Sequence, residues 1–152
     1  MINVVFNEMF EGSVGSEILE ITALKVLEHE QQPEEVDVSI AIEDNAQLQE
    51  LNLKFLGIDA PTDVLSFPAD EIDPDTGNLY LGDIIISLPT ATAQAAAAGH
   101  PLQNELQLLV VHGMLHLLGY DHATPEMKTE MWELQAQLLA GLSVDIKKLP
   151  ED

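Results

Sequence analysis

The sequence predicts an α/β domain, loosely α+β, in which helices cover a small, mostly parallel mixed sheet of about four strands. Three observations carry this prediction. Short β-rich runs alternate with segments spaced for helices along the first part of the chain. Val36-Asp-Val-Ser-Ile-Ala-Ile42 alternates with period two, and Leu79-Tyr-Leu-Gly-Asp-Ile-Ile-Ile-Ser87 is apolar enough to be a central strand. With 152 residues the chain can build one hydrophobic core, so a single domain over 1–152 is expected.

The elements follow in order. Ile2 to Phe6 is short and β-rich, and Ser16 to Glu30 places Ile18, Ile21, Leu24, Val26 and Leu27 at near-helical spacing. After the Val36–Ile42 strand, Asp44 or Asn45 can cap a helix running to about Phe55. Pro61 breaks the chain ahead of a third strand, Thr62 to Phe67, expected to stop at Pro68. Acidic loop residues Asp70 to Asn78 then lead into Leu79–Ser87. Pro89 can open an alanine-rich helix that ends at Gly99, and Pro101 starts another that buries Leu106, Leu109, Val110, Met114 and Leu117. A last helix begins at Thr124-Pro125 and is expected to bury Met127, Met131, Leu134 and Leu138, with Trp132 packed nearby. This order fits helices layered on a mostly parallel sheet whose edge strand can run antiparallel.

Composition bounds the function. There are 27 acidic residues against five lysines and no arginine, a formal net charge of −22. Such a surface favours solubility and repels polyanions, which argues against DNA and against RNA held by broad phosphate contacts. Without cysteine, any metal must be held by histidine, carboxylate or water. The N-terminal stretch lacks a basic segment and a long apolar run, and nothing later is long enough for a membrane span, so a cytoplasmic protein with no membrane partner is expected.

The chemistry lies in His112-Gly-Met-Leu-His116-Leu-Leu-Gly119-Tyr-Asp-His122. On a helix, residues four apart stack on one face with Cβ atoms roughly 5–6 Å apart, so His112 and His116 form a preset pair. Gly119 can leave the helix left-handed and bring His122 back toward the same point. Three neutral imidazoles around one divalent ion leave a position open to water, the arrangement of a catalytic zinc site. His29 and His100 have no partners in sequence and are assigned to helix ends or the surface. The spacing matches the H-E-x-x-H-x-x-G-x-x-H pattern of metzincin proteases except that position 113 is glycine, which removes the general base of that mechanism.

Taken together with Pro61-Thr-Asp-Val-Leu-Ser-Phe-Pro68, Leu51-Asn52 and Leu81-Gly-Asp-Ile84, the histidine motif resembles the YbeY family of ribosomal RNA maturation endoribonucleases over about residues 36 to 140. The resemblance implies a zincin-like fold and one Zn²⁺ per chain on His112, His116 and His122. It also implies processing of the 3′ end of small-subunit rRNA and ribosome quality control, with rRNA, the small subunit and ribosomal proteins as partners. Thr62, Asp63 and Ser66 are candidates for substrate positioning beside the metal. Asp63, Asp83, Asp121 and Glu130 are each conceivable general bases, and Asp121 could instead accept a hydrogen bond from an imidazole. Where the family is expected to carry Tyr-Arg before a glycine, this chain has Phe55-Leu56-Gly57, leaving Lys54 as the nearby cation for a phosphate. Two alternatives stand beside this one: a metal-dependent hydrolase of peptides or small molecules, and a metal-stabilised ribosome-associated adaptor without catalysis.

Overall fold

The computed structural model describes residues 1–33 and 35–144. Strands β1 (Ile2–Phe6), β2 (Val36–Glu43), β3 (Val64–Ile72) and β4 (Leu79–Ser87) form one sheet in the order β1-β2-β4-β3. Pairings β1/β2 and β2/β4 are parallel, and β3 runs antiparallel to β4 at the sheet edge. The expected mixed sheet is therefore present, with β4 in its interior. Helices α1 (Ser16–His29), α2 (Asn45–Leu56), α3 (Leu88–Ala98), α4 (Leu102–Leu117) and α5 (Pro125–Gly141) complete it.

Capping residues set the helix starts. The Asp44 carboxylate accepts from Gln47 N–H, Ser87 from Thr90 N–H and Thr124 from Met127 N–H, so each satisfies a backbone donor that the first turn leaves unpaired. On one sheet face Val36, Val38, Ile40 and Ile42 of β2 lie beside Ile84 and Ile86 of β4, all buried. Helix α4 packs on that face and is buried through an unbroken run from Glu105 to Leu115. Fully burying a leucine- or valine-sized side chain is worth about 1.5–3 kcal/mol, so α4 supplies much of the core.

Three expectations need correction, and α1, which forms as expected, has a defined buried face. Strand β3 does not stop at Pro68 but continues to Ile72, so the acidic loop begins after it. An edge strand tolerates a residue with no N–H to give, and the pairing slips between Pro68 and Glu71, where Asp70 takes φ 50°. In α1 the buried stripe is Leu19, Thr22, Ala23, Val26 and Leu27, while Ile21 and Leu24 are exposed. In α5 Met127 is exposed, Leu134 is half-buried, and Gln135 takes a core position instead. His100 is not a surface residue: its side chain is 1 % exposed, with Nε2 3.0 Å from the Glu105 carboxylate. Burial there raises the Glu105 pKa, and the bond to His100 opposes the shift.

Two glycines let α4 sit close to the sheet. A Cβ on Gly113 would come 2.9 Å from Ile84 Cγ2. One on Gly82, at φ +151°, would meet the Phe67 carbonyl at 2.4 Å and Leu117 Cδ2 at 2.8 Å. The last turn of α4, which carries the histidines, thus lies directly on β4.

Candidate metal centre

His112 and His116 are one turn apart on α4, with ring centroids 4.7 Å apart and Nε2 atoms 3.1 Å apart. Beyond Leu117 the chain turns through Gly119 at φ 101°, and Tyr120 N–H donates back to the Leu115 carbonyl at 2.9 Å. The Tyr120 hydroxyl donates to Glu30 Oε1 at 2.5 Å, fastening the turn to the end of α1. That bond to a carboxylate, helped by burial, pushes the phenol up to about 12. Asp121 Oδ1 accepts from His122 N–H at 2.8 Å and fixes the backbone that presents the third ring. The His122 centroid ends 5.2 Å from that of His116 and 5.8 Å from that of His112.

One ring nitrogen from each of the three lies within 4.8 Å of the others. Tetrahedral zinc with bonds of about 2.0–2.1 Å requires N···N separations of about 3.3 Å, so the His112/His116 pair is already near that spacing and His122 needs only a small approach. The donor set fits a borderline divalent ion: three imidazoles and no thiolate. Protonation states fit as well. Burial, followed by the charges of His112 and His122, lowers His116 to about 4, so it is neutral and able to ligate at pH 7.

Sequence reasoning missed Gln135. This α5 side chain is fully buried, and its Oε1 lies 2.6 Å from His112 Nδ1. An amide oxygen only accepts, so the proton belongs on Nδ1 and the lone pair on Nε2 points toward the other rings. Gln135 Nε2 has no partner among the described residues. The available signal was a polar residue four places after Met131 in a stripe otherwise reserved for the core. Trp132, expected only to pack nearby, walls the site: its ring is 5.7 Å from His112 and 5.5 Å from His122, edge to face.

The other candidates are dispersed. Ser66 is at the site, its hydroxyl donating to the Gly113 carbonyl across a long 3.4 Å contact. Asp121 also adjoins it, and its charge opposes the lowering of the His116 pKa. Glu130 lines a depression with Tyr120 and Asp121. Asp63 is buried at the foot of β3, where its Oδ1 accepts from Val64 N–H at 2.8 Å and from the Thr62 hydroxyl at 3.4 Å. Its charge bears on Glu105, two helical turns before His112. Asp83 accepts from the Tyr80 hydroxyl and alternates with Ile84, so it occupies the sheet face away from α4. Lys54 rests 5.3 Å from the Phe55 ring, which in turn meets Phe67 at 5.2 Å, and Leu56 beside it is exposed. No helix among the described residues is long and apolar enough to cross a membrane.

Comparison with known proteins agrees with this geometry. The sequence model of a family described as Endoribonuclease YbeY matches residues 8–143. An endoribonuclease YbeY of Moorella thermoacetica is 44% identical over 149 residues, covering 91% of this chain and 95% of the relative. One from Corynebacterium efficiens is 41% identical over 153 residues, covering 95% of this chain and 76% of the relative. The solution structure of TM1509 from Thermotoga maritima superposes with a TM-score of 0.58 at 28% identity, covering 94% of this chain and 92% of that one. The chain belongs to the endoribonuclease YbeY family.

Proposed function

We infer that this family member is a metal-dependent endoribonuclease that acts in rRNA maturation, in the cytoplasm, on RNA of the small ribosomal subunit. The observation that carries the metal dependence is the convergence of His112, His116 and His122 within 4.8 Å, with the His112 tautomer set by Gln135. The ion these residues would hold is zinc, one per chain. When bound, it supplies Lewis acidity, lowering the pKa of a coordinated water and offsetting charge that develops on a phosphoryl oxygen.

The chain's own groups do the rest. His112 and His116 come from a helix pinned to the sheet at Gly113, so the pair is held without further ordering on binding. His122 is positioned through Asp121, and the Asp121 carboxylate is the exposed acceptor adjoining the ligands that can take a proton from the attacking nucleophile. The Ser66 hydroxyl, on the edge strand beside Gly113, positions substrate. The inward placement of Asp63 supports a role in holding the foot of β3, with Thr62 as its partner.

A peptide substrate is disfavoured by the same geometry. Position 113, where metzincins carry their glutamate, faces Ile84 with no room for a side chain. The test is metal content and cleavage of structured rRNA by wild type and His116→Ala. Both should fall together in the variant, and full cleavage by a metal-free variant would overturn the reading.

A further inference from the structure

His112, His116 and His122 could hold an ion, but they and Ser66 give a nucleic acid little to grip. Besides the chain terminus, the cations among the described residues are Lys25 on α1, Lys54 on α2 and Lys128 on α5, in a chain of net charge −22. The described residues therefore offer too few cations for recognition by many phosphate contacts. Stacking remains open, because every base has a π face and stacking needs no counter-charge.

The sole tryptophan of the chain stands where stacking would count. Trp132 is half-buried, within 5.7 Å of two ligand rings. It also borders a shallow, mostly apolar depression with Lys128, Thr129, Glu133 and Ala136, its neighbours on the outer face of α5. The Lys128 ammonium lies over the indole at 5.4 Å. Lys25 and Lys54 lie on other helices, and the Lys54 ammonium rests on Phe55, so Lys128 is the lysine that shares a helix with Trp132 among the described residues. An exposed lysine over an aromatic face gains about 0.5–1 kcal/mol, little enough for a base to displace it.

We propose that Trp132 and Lys128 form a one-nucleotide platform beside the metal centre: a nucleobase flanking the scissile phosphate stacks on the indole, and Lys128 swings off the ring to contact the adjacent phosphate. This rests on the RNA reading above and names how that substrate is held. Glu133 borders the same depression and repels phosphate, so the ring supplies most of the affinity and Lys128 a single charge contact. The platform accepts any base, which fits a nuclease that takes its specificity from elsewhere.

The test uses the zinc-loaded full chain, a 2′-O-methylated hexanucleotide as binding probe and a structured rRNA fragment as substrate. The hexanucleotide should quench Trp132 emission saturably. Trp132→Leu should weaken binding and raise KM tenfold or more, while Trp132→Phe keeps most of both and all variants retain zinc. Lys128→Gln, an exposed change that leaves folding alone, should reduce the slope of log affinity against log salt by about 0.7. Trp132→Leu and Lys128→Gln matching wild type would overturn the platform, as would loss of binding only in step with loss of zinc. If wild type cleaves RNA and the variants match it, the platform falls and the nuclease stands. If wild type cleaves no RNA yet its binding depends on Trp132, the nuclease reading falls and the platform stands as a binding site.

Discussion

Replacing Gln135 with leucine should weaken metal binding while leaving the metal-free fold intact. The Gln135 oxygen sits 2.6 Å from His112 Nδ1 inside a fully buried stripe, so its loss frees the imidazole to take the other tautomer, with a proton where the ion needs a lone pair. Groups that orient a ligand in this way typically contribute 10- to 100-fold in metal affinity, or about 1.4–2.7 kcal/mol. In the metal-free chain two effects offset. Leucine removes Gln135 Nε2, a buried donor with no partner among the described residues, and deprives the His112 N–H of its acceptor. Each is worth about 1–3 kcal/mol with opposite sign, so metal-free stability should shift by no more than about 2 kcal/mol in either direction. The affinity loss should appear as a metal-induced rise in Tm smaller by about 3–10 °C, at about 2–4 °C per kcal/mol for a chain this size. Zinc titration by calorimetry, with urea unfolding of both metal-free proteins, measures the two quantities separately. Equal zinc affinity would refute the argument, as would a metal-free variant several kcal/mol less stable.

Two further predictions test the scaffold. Gly113→Ala should cost about 1–3 kcal/mol, because its Cβ would lie 2.9 Å from Ile84 Cγ2; in denaturant unfolding, Gly113→Ala with Ile84→Ala should lose less than the two single changes added. A pH series on the metal-free chain should show stability flat above about 6.5 and falling toward pH 4. His116 binds its proton near 4 in the folded chain and near the ordinary 6.5 in the unfolded one, so acid favours unfolding throughout that window. The ring is only partly buried, and screening by solvent reduces the loss to about 1–2 kcal/mol. His116→Leu should abolish that part of the pH dependence, and an unchanged slope in the variant would contradict the assignment.

The legible parts of the molecule were those set by local rules. The β2 alternation, the Asp44 and Thr124 caps, and the i, i+4 histidine pair with its glycine turn are properties of single segments, and all appear in the structure. What could not be read depends on which segments meet. Nothing near Pro68 reveals that β3 is an edge strand, the circumstance that lets it run through a proline. Ile21 and Leu24 are as apolar as Leu19, and only the packing of α1 against α4 selects the stripe through Leu19, Ala23 and Val26. Asp63 and Asp83 are acidic and close in sequence to the motifs, yet one points into the core near Glu105 and the other occupies the far sheet face.

Gln135 shows why a metal centre is harder to read than its ligands. A ligand triad has a spacing because one helix and one turn must present it, whereas the group that sets a tautomer needs only to reach one nitrogen from anywhere in the fold. Here it comes from 23 residues away on another helix. Its mark in sequence is negative: a glutamine where the α5 stripe of Met131 and Leu138 calls for an apolar side chain. A buried amide with one unpaired nitrogen lowers stability, so its presence there implies a benefit other than packing. The His112 bond supplies that benefit, and the choice of amide over carboxylate keeps a negative charge out of a buried site whose three ligands must be neutral imidazoles until the ion arrives.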